Sequence, residues 1–407
     1  MPSRRAASSF FANYFLLYVS FGILVPYLQL YLKARGFTPS RIGVLLGIYG
    51  LAGIAGPIFV SRLADSRTAY RALLVGSLVA SAIAFVPLQL TTRFLVAALL
   101  LALMGASYLS SAPLLDSAVS RILPNPARQY GRFRVAGSVG FIAVSVFLQF
   151  GALKSALGGG VSGDSSLSIL VAFCFTALCA AGAAAFLPRV PKSAPHPRPM
   201  GRVREVSAFD MRFWMVIGVI FLGRFGMGAY YSFFSLYLKN TFGGAESAFG
   251  GAGVSLLWAI GSVAEIAPMW FSGRLIARWG LRAVLAVSLA AITVRLGLFV
   301  IAPSIAVIAL AQLLHAFTFG TFHTAAVSYV NSAIPAERRG LGMAIYNAIG
   351  IGCATFLASV AGGYIIEAHG YVALYLCYAA VPLGGILILF TKALRAGIFD
   401  PWKPRPS

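Results

Sequence analysis

Acidic residues are scarce: ten Asp and Glu stand in 407 positions, against 32 Lys and Arg. Charged residues of both signs make up 10% of the chain, where a soluble domain carries about 25%. So little charge excludes a water-soluble globule. Cysteine is limited to Cys174, Cys179, Cys353 and Cys377. All four fall inside apolar stretches without metal-ligand spacing, which excludes a disulfide framework and indicates no metal site. No phosphate-cradling glycine loop and no nucleophile–base pair stands out, which speaks against an enzyme. No cofactor is expected.

Apolar sequence is abundant, at 59% of residues and a mean hydropathy of +0.86. A membrane-spanning helix needs about 20 apolar residues. Twelve runs qualify, at roughly 10–32, 42–61, 70–90, 94–115, 134–152, 166–187, 212–238, 251–272, 282–301, 304–328, 341–364 and 370–391. Lipid satisfies no backbone hydrogen bonds, and these runs are too long for barrel strands, so they are expected to be helices. The first run follows Arg4 and Arg5 as a signal peptide would. It is too long for that role and no small-residue cleavage site ends it, so it is expected to persist as a helix. The expected fold class is an all-α membrane protein with twelve transmembrane helices.

A Pro-rich, basic stretch from Pro188 to Pro199 reads as an extended linker. It divides the chain into an N-terminal six-helix bundle (1–187), a linker (188–210) and a C-terminal six-helix bundle with a short tail (211–407). Gly158-Gly159-Gly160 marks a flexible loop between spans 5 and 6. With the N-terminus, the even-to-odd loops and the C-tail assigned to one side, that side holds 24 Lys and Arg and the other holds six. The remaining two, Arg224 and Arg295, lie deep within spans, and Arg134, counted with the richer side, opens span 5. The positive-inside rule places the richer side, with both termini, in the cytoplasm of a cell's inner or plasma membrane. The net charge of +22 then reports topology and contact with anionic lipid, not nucleic acid.

The two bundles repeat one another. Leu30-Tyr31-Leu32-Lys33 recurs 206 positions on as Leu236-Tyr237-Leu238-Lys239, and Ala118-Val119-Ser120 recurs as Ala326-Val327-Ser328. A duplicated membrane bundle is the architecture of a solute carrier whose site lies between the repeats. Span 2 also carries Gly43, Gly47, Gly50, Gly53 and Gly56, a stripe that a neighbouring helix can approach closely, whether in static packing or in sliding.

The loop after span 8, Gly273-Arg274-Leu275-Ile276-Ala277-Arg278-Trp279-Gly280-Leu281-Arg282, resembles the signature of the major facilitator superfamily. Ala277 replaces that family's acid. The first-half copy, Ser61-Arg62-Leu63-Ala64-Asp65-Ser66-Arg67, keeps the acid as Asp65 and loses the glycines. The resemblance implies the major facilitator fold and a conformational latch made from Asp65, Arg71, Gly273, Arg278 and Arg282.

Ionisable residues inside the spans are few: Asp116, Arg134, Arg224, Glu265, Arg295, His315 and His323. A charge at the bilayer centre costs a few kcal/mol at least, so each needs a partner or a role. Asp116 and Arg134 sit on adjacent antiparallel spans, where they either meet in the interior or snorkel to water. The surrounding Tyr130-Gly131-Arg132-Phe133-Arg134-Val135-Ala136-Gly137-Ser138-Val139-Gly140-Phe141 is similar to the span 5 motif of the lactose permease and the oligosaccharide/proton symporters. The similarity implies that Asp116 and Arg134 pair and bind substrate. It puts Phe141 where a tryptophan would stack on sugar, a departure that speaks against a galactoside.

Glu265, Arg295 and His315 fall on spans 8, 9 and 10, the helices on which the lactose permease carries an acid, an arginine and a histidine. Its further acid, one turn past the histidine, is Thr318 here. The run His315-Ala316-Phe317-Thr318-Phe319-Gly320-Thr321-Phe322-His323, with Ala264-Glu265-Ile266, resembles the phenylpropionate-permease and nucleoside-permease-like branch over nearly the whole chain. Burial and a neighbouring Arg295 act on the charge of Glu265 in opposite senses, so it is a candidate proton carrier. His315 is then a relay or a substrate partner, and Arg295 the counter-charge. The competing reading is a purely structural cluster. His323 lies about 80° round an α-helix from His315, facing either the interior or a neighbour. Arg224 is deep and lacks a sequence neighbour, so an anionic substrate and Glu265 are both candidate partners. Tyr231, within Tyr230-Tyr231-Ser232-Phe233-Phe234, reads as packing or as part of a ligand box. Asn13, Tyr14 and Asn347 complete the polar candidates.

The expected function is secondary active transport: proton-coupled import of a sugar or glycoside, a nucleoside or an aromatic acid by alternating access. The partners expected are a small-molecule substrate, protons and lipid, with the protein a monomer. A proton-coupled exporter and a non-transporting receptor derived from a carrier are the alternatives.

Overall fold

The computed structural model describes residues 3–150, 166–190, 209–242, 253–301, 304–335 and 338–391. The glycine loop at 158–160 and nearly all of the 188–210 linker lie outside the described residues. The chain is helical throughout what is described. In the first half the helices are α1 (Arg4–Ala34), α2 (Pro39–Arg67), α3 (Tyr70–Leu88), α4 (Phe94–Tyr108), α5 (Ser111–Ile122), α6 (Pro126–Phe150) and α7 (Ser166–Ala185). In the second they are α8 (Met211–Phe242), α9 (Gly253–Ile301), α10 (Ile305–Leu313), α11 (Phe322–Ala333), α12 (Arg339–Ile345) and α13 (Ala354–Leu389). Two π-helical turns, π1 (Ala316–Thr321) and π2 (Tyr346–Cys353), join α10 to α11 and α12 to α13.

Local chemistry sets several ends. Ser3 caps α1 by accepting from the Ala6 N–H at 3.3 Å, and Pro39 opens α2 where its missing donor costs nothing. α9 and α13 each turn sharply inside their length, at Gly280 (φ 77°, ψ 154°) and Gly370 (φ 80°, ψ −179°). A positive φ of this kind is open to glycine and strained for other residues.

Nine helices among the described residues are long and apolar enough to cross a membrane. Two more apolar helices, Val171–Ala185 and Gly253–Pro268, are shorter, and Arg339–Leu389, counted once among the nine, is interrupted by the Gly370 turn. Large apolar side chains face outward along these helices: Phe59 is 69% exposed, Leu99 73% and Trp270 78%. A soluble monomer does not leave so much apolar surface bare, whereas lipid covers it at no cost. The chain is a multi-pass helical membrane protein.

The chain forms two compact units, Met1–Ala194 with Ser235–Ala259, and Pro195–Phe234 with Ile260–Ser407. In the first, α1 packs on α6 and α7, α2 on α4, and α3 on α4 and α7. Gly53 and Gly56 of the glycine stripe lie against Leu109 and Ala106 beside α4, so that part of the stripe serves close helix packing. In the second unit, Gly228 of α8 lies against Ala358 of α13 in the same manner.

Candidate functional site

The first unit gathers its buried charges around tyrosines. Asp116, on α5, accepts from the Tyr14 hydroxyl of α1 at 2.8 Å and also interacts with the Tyr130 hydroxyl of α6. Arg134 of α6 donates to the Tyr18 hydroxyl and lies 4.1 Å over the Tyr18 ring. Gly137, one turn further along α6, leaves room for this arginine: a Cβ there would come within 2.8 Å of its Nη1 and of Tyr18. Asp116 and Arg134 therefore share one cluster without the direct ion pair expected of them; Tyr14 and Tyr18 take up their contacts. Tyr14 and Tyr18, four residues apart on one face of α1, present the two hydroxyls together.

The other first-unit candidates do different things. Asn13 is buried, and its amide donates to the carbonyls of Ser9 and Ala183, at 2.8 and 3.1 Å, tying α1 to α7. Phe141 is half-buried against α1 at Gly22. Asp65, at the end of α2, forms a 2.7 Å ion pair with Arg121 of α5 and accepts from the Tyr70 hydroxyl of α3. Arg121 in turn lies 5.2 Å over the Tyr70 ring. Three helix ends are joined there. Arg71 is exposed beside them, and Arg121 carries the contact. In the second unit Gly273 and Arg278 are exposed, and Arg282 lies 4.4 Å over the Phe390 ring.

The second unit holds the more elaborate cluster. Arg295, on α9 past the Gly280 turn, is fully buried. Its Nη1 lies 2.7 Å from His315 Nδ1 and donates to Thr318 Oγ1 at 3.0 Å, its Nη2 donates to Gln312 Oε1, and its face lies 4.0 Å from the Tyr230 ring centre. A guanidinium has only donors, so His315 Nδ1 must accept and the ring's proton sits on Nε2. That nitrogen is 3.5 Å from Glu265 Oε2. Arg295, His315 and Glu265 thus form a chain in which the histidine joins cation to carboxylate. Gly261, one turn before Glu265, makes the approach possible, since a Cβ there would sit 3.3 Å from Gln312 and 3.4 Å from His315. Thr318, standing where the resemblance placed an acid, serves as an acceptor for Arg295.

His323 does not stand 80° away from His315. The π1 turn between them takes more residues per revolution than an α turn, and the excess rotates the chain back. Both imidazoles consequently stack on Phe319: centroid distances are 5.7 and 5.6 Å, and interplanar angles 11° and 3°. His323 Nδ1 then lies 2.8 Å from the Tyr346 hydroxyl, at the start of π2. A π turn on each of two helices, meeting at one hydrogen bond, is a departure of the kind concentrated at functional sites.

Arg224 is half-buried about 20 Å along α8 from Met211. It stands 5.0 Å over the Tyr231 ring, and its buried Nε has no hydrogen-bond partner among the described residues. A cation–π contact contributes up to about 2 kcal/mol when dry, against several kcal/mol for desolvating the ion. Tyr231, which meets Arg224 with both its ring and its hydroxyl, brings no negative charge to balance it. No group of three or more metal-ligating side chains occurs among the described residues.

Charged and hydrogen-bonding side chains held inside a bundle of lipid-facing helices, with no reactive nucleophile among them, are the interior of a solute carrier. A family model described as MFS_1 like family matches residues 9–377, and the chain belongs to that family of major facilitator superfamily transporters. It is 28% identical to a maltose permease of Geobacillus stearothermophilus over 94% of this chain and 93% of that one. It is 26% identical to a protein of Escherichia coli (strain K12) named "Probable 3-phenylpropionic acid transporter", over 88% of this chain and 91% of that one. A crystal structure of the nucleoside transporter NupG shares the fold, with a TM-score of 0.77 at 17% identity, covering 95% of this chain and all of that one. The protein is a transporter, not an enzyme.

Proposed function

We propose that the protein is a proton-coupled symporter importing a small organic solute (a sugar or glycoside, a nucleoside or an aromatic acid) by alternating access. The names of the similar transporters match the candidate solutes. The Asp116–Tyr14–Tyr130 and Arg134–Tyr18 groups offer a hydroxyl-rich or polar ligand acceptors and a planar donor fork. Dividing Arg339–Leu389 at Gly370, and counting the two shorter apolar helices, supports twelve crossings, an even number that leaves both termini on one side, and the basic loops favour the cytoplasm for that side. Asp65 with Arg121 and Tyr70 is the conformational latch of the first half.

The observation that carries the coupling is the Arg295–His315–Glu265 chain. With His315 Nδ1 occupied by Arg295, a proton arriving at the cluster is taken by Glu265, and His315 Nε2 faces it as a hydrogen-bond donor. Protonation cancels the carboxylate's attraction for the rest of the chain and loosens the contact between the α9 and α10 segments. That links proton occupancy to conformation. The test is uptake into proteoliposomes by purified protein under an imposed inward proton gradient, with maltose, uridine and 3-phenylpropionate as solutes. Accumulation that collapses with a protonophore supports the reading. Export against the same gradient would favour the exporter, and binding without flux the receptor.

A further inference from the structure

The span interior of the second unit is unbalanced. It holds two guanidinium groups, Arg224 and Arg295, and one carboxylate, Glu265. Arg295 bonds His315, Thr318 and Gln312 through its two terminal nitrogens, lies over Tyr230, and reaches Glu265 through the histidine; its Nε, like that of Arg224, has no hydrogen-bond partner among the described residues. Arg224 forms no ion pair among the described residues; it interacts with the Tyr231 hydroxyl, and its Nε is buried without a hydrogen-bond partner. Its guanidinium lies 5.0 Å over the Tyr231 ring, and His315, His323 and Tyr346 lie within reach of its charge. Phe319, stacked between the two histidines, adds a further flat apolar face. A cation with no anionic partner among the described residues, set over one aromatic ring and near others, lacks one complement: a negative charge attached to an apolar ring.

We infer that Arg224 is the anchor of an anion subsite that takes the carboxylate of an aromatic monoacid. Resting on the symporter reading, this selects the aromatic acids among the candidate solutes. Arg224 supplies the donor fork and charge, His323 and Tyr346 supply hydrogen-bonding groups, and Tyr231 and Phe319 face the substrate's ring. The subsite also gives a reason for co-transport. A substrate carboxylate and an ionised Glu265 repel one another inside the same low-dielectric cluster, so protonating Glu265 strengthens anion binding, and anion binding favours the proton. One proton moving with one monocarboxylate carries no net charge. Uptake is then driven by a pH gradient and is indifferent to membrane potential, whereas a proton moving with a neutral sugar or nucleoside would be electrogenic.

The experiment compares 3-phenylpropionate with its neutral isostere 3-phenylpropionamide, using full-length purified protein for calorimetric binding and proteoliposomes for uptake. The expected result is that the carboxylate binds at least tenfold more tightly than the amide. Arg224→Gln should lower carboxylate affinity at least tenfold and bring the two ligands within about twofold of each other, while Arg224→Lys keeps the preference. Wild-type uptake should follow the pH gradient and ignore a potassium–valinomycin potential. Equal affinity for acid and amide in the wild type overturns the inference without recourse to any variant. So does a failure of benzoate, phenylacetate and 3-phenylpropionate all to bind, or unchanged carboxylate binding in a folded Arg224→Gln protein. Proton-driven, potential-sensitive accumulation of a neutral glycoside would sink the subsite and leave the symporter standing. A strong acid-over-amide preference without any proton dependence of uptake would do the reverse.

Discussion

His315 holds Arg295 on one ring nitrogen and faces Glu265 with the other, at 2.7 and 3.5 Å. An imidazole so placed has its tautomer dictated by the arginine, which always donates. On the proposed reading the carboxylate is the member of the chain that takes the coupled proton, while the other two keep theirs.

Tyr14 gives the first unit a sensitive point. Its hydroxyl donates to Asp116 at 2.8 Å, and a hydrogen bond to a charged group contributes about 1.5–3 kcal/mol. Tyr130 remains to hold the carboxylate, so the lower end applies. Tyr14→Phe is expected to weaken solute binding about tenfold, with the fold intact. Calorimetry of the purified variant against the transported solute measures this.

Asp65 should behave differently, because its pair with Arg121 is half-exposed, with 53% of the Asp65 side chain accessible. Such pairs contribute about 0–1 kcal/mol to stability. Asp65→Asn is expected to shift the melting temperature by no more than a few degrees and to leave binding unchanged, while maximal transport rate falls severalfold. Rate and affinity measured on the same preparation separate these outcomes.

Phe319 sits between two imidazoles at 5.7 and 5.6 Å. Phe319→Ala removes the plane that aligns them, while Phe319→Tyr retains it. The alanine variant should move the pH profile of uptake and lower coupled accumulation, and the tyrosine variant should follow the wild type. Initial rates across pH 5 to 8 provide the readout.

Much of this was legible in the sequence because lipid makes charge expensive. Every ionisable residue within a span stood out, and the chain groups Asp116 with Arg134, and Glu265 with Arg295 and His315, in two clusters. What spacing alone could not give was which groups touch. Asp116 and Arg134 pointed to a direct pair, whereas Tyr14 and Tyr18 take up their contacts. Tyr14 stood among the polar candidates of span 1, but tyrosines are common in membrane helices, and nothing marked Tyr18 or the contact each would make. His323 was misplaced by the assumption of unbroken α-helix, since a π turn has no compositional signature strong enough to read. Arg121 was absorbed into the cytoplasmic charge count and missed as the partner of Asp65. Gln312 did carry a signal: it is a lone amide in an apolar run, one turn before His315. The outward apolar faces and the glycine approach of α2 to α4 followed directly from composition.

The central claim is that Glu265 carries the coupled proton. Its most direct test is Glu265→Gln in proteoliposomes, with solute counterflow and proton-driven accumulation measured side by side. Counterflow that persists while gradient-driven accumulation disappears is the predicted result. Accumulation that still follows the imposed pH gradient at the wild-type level would contradict it.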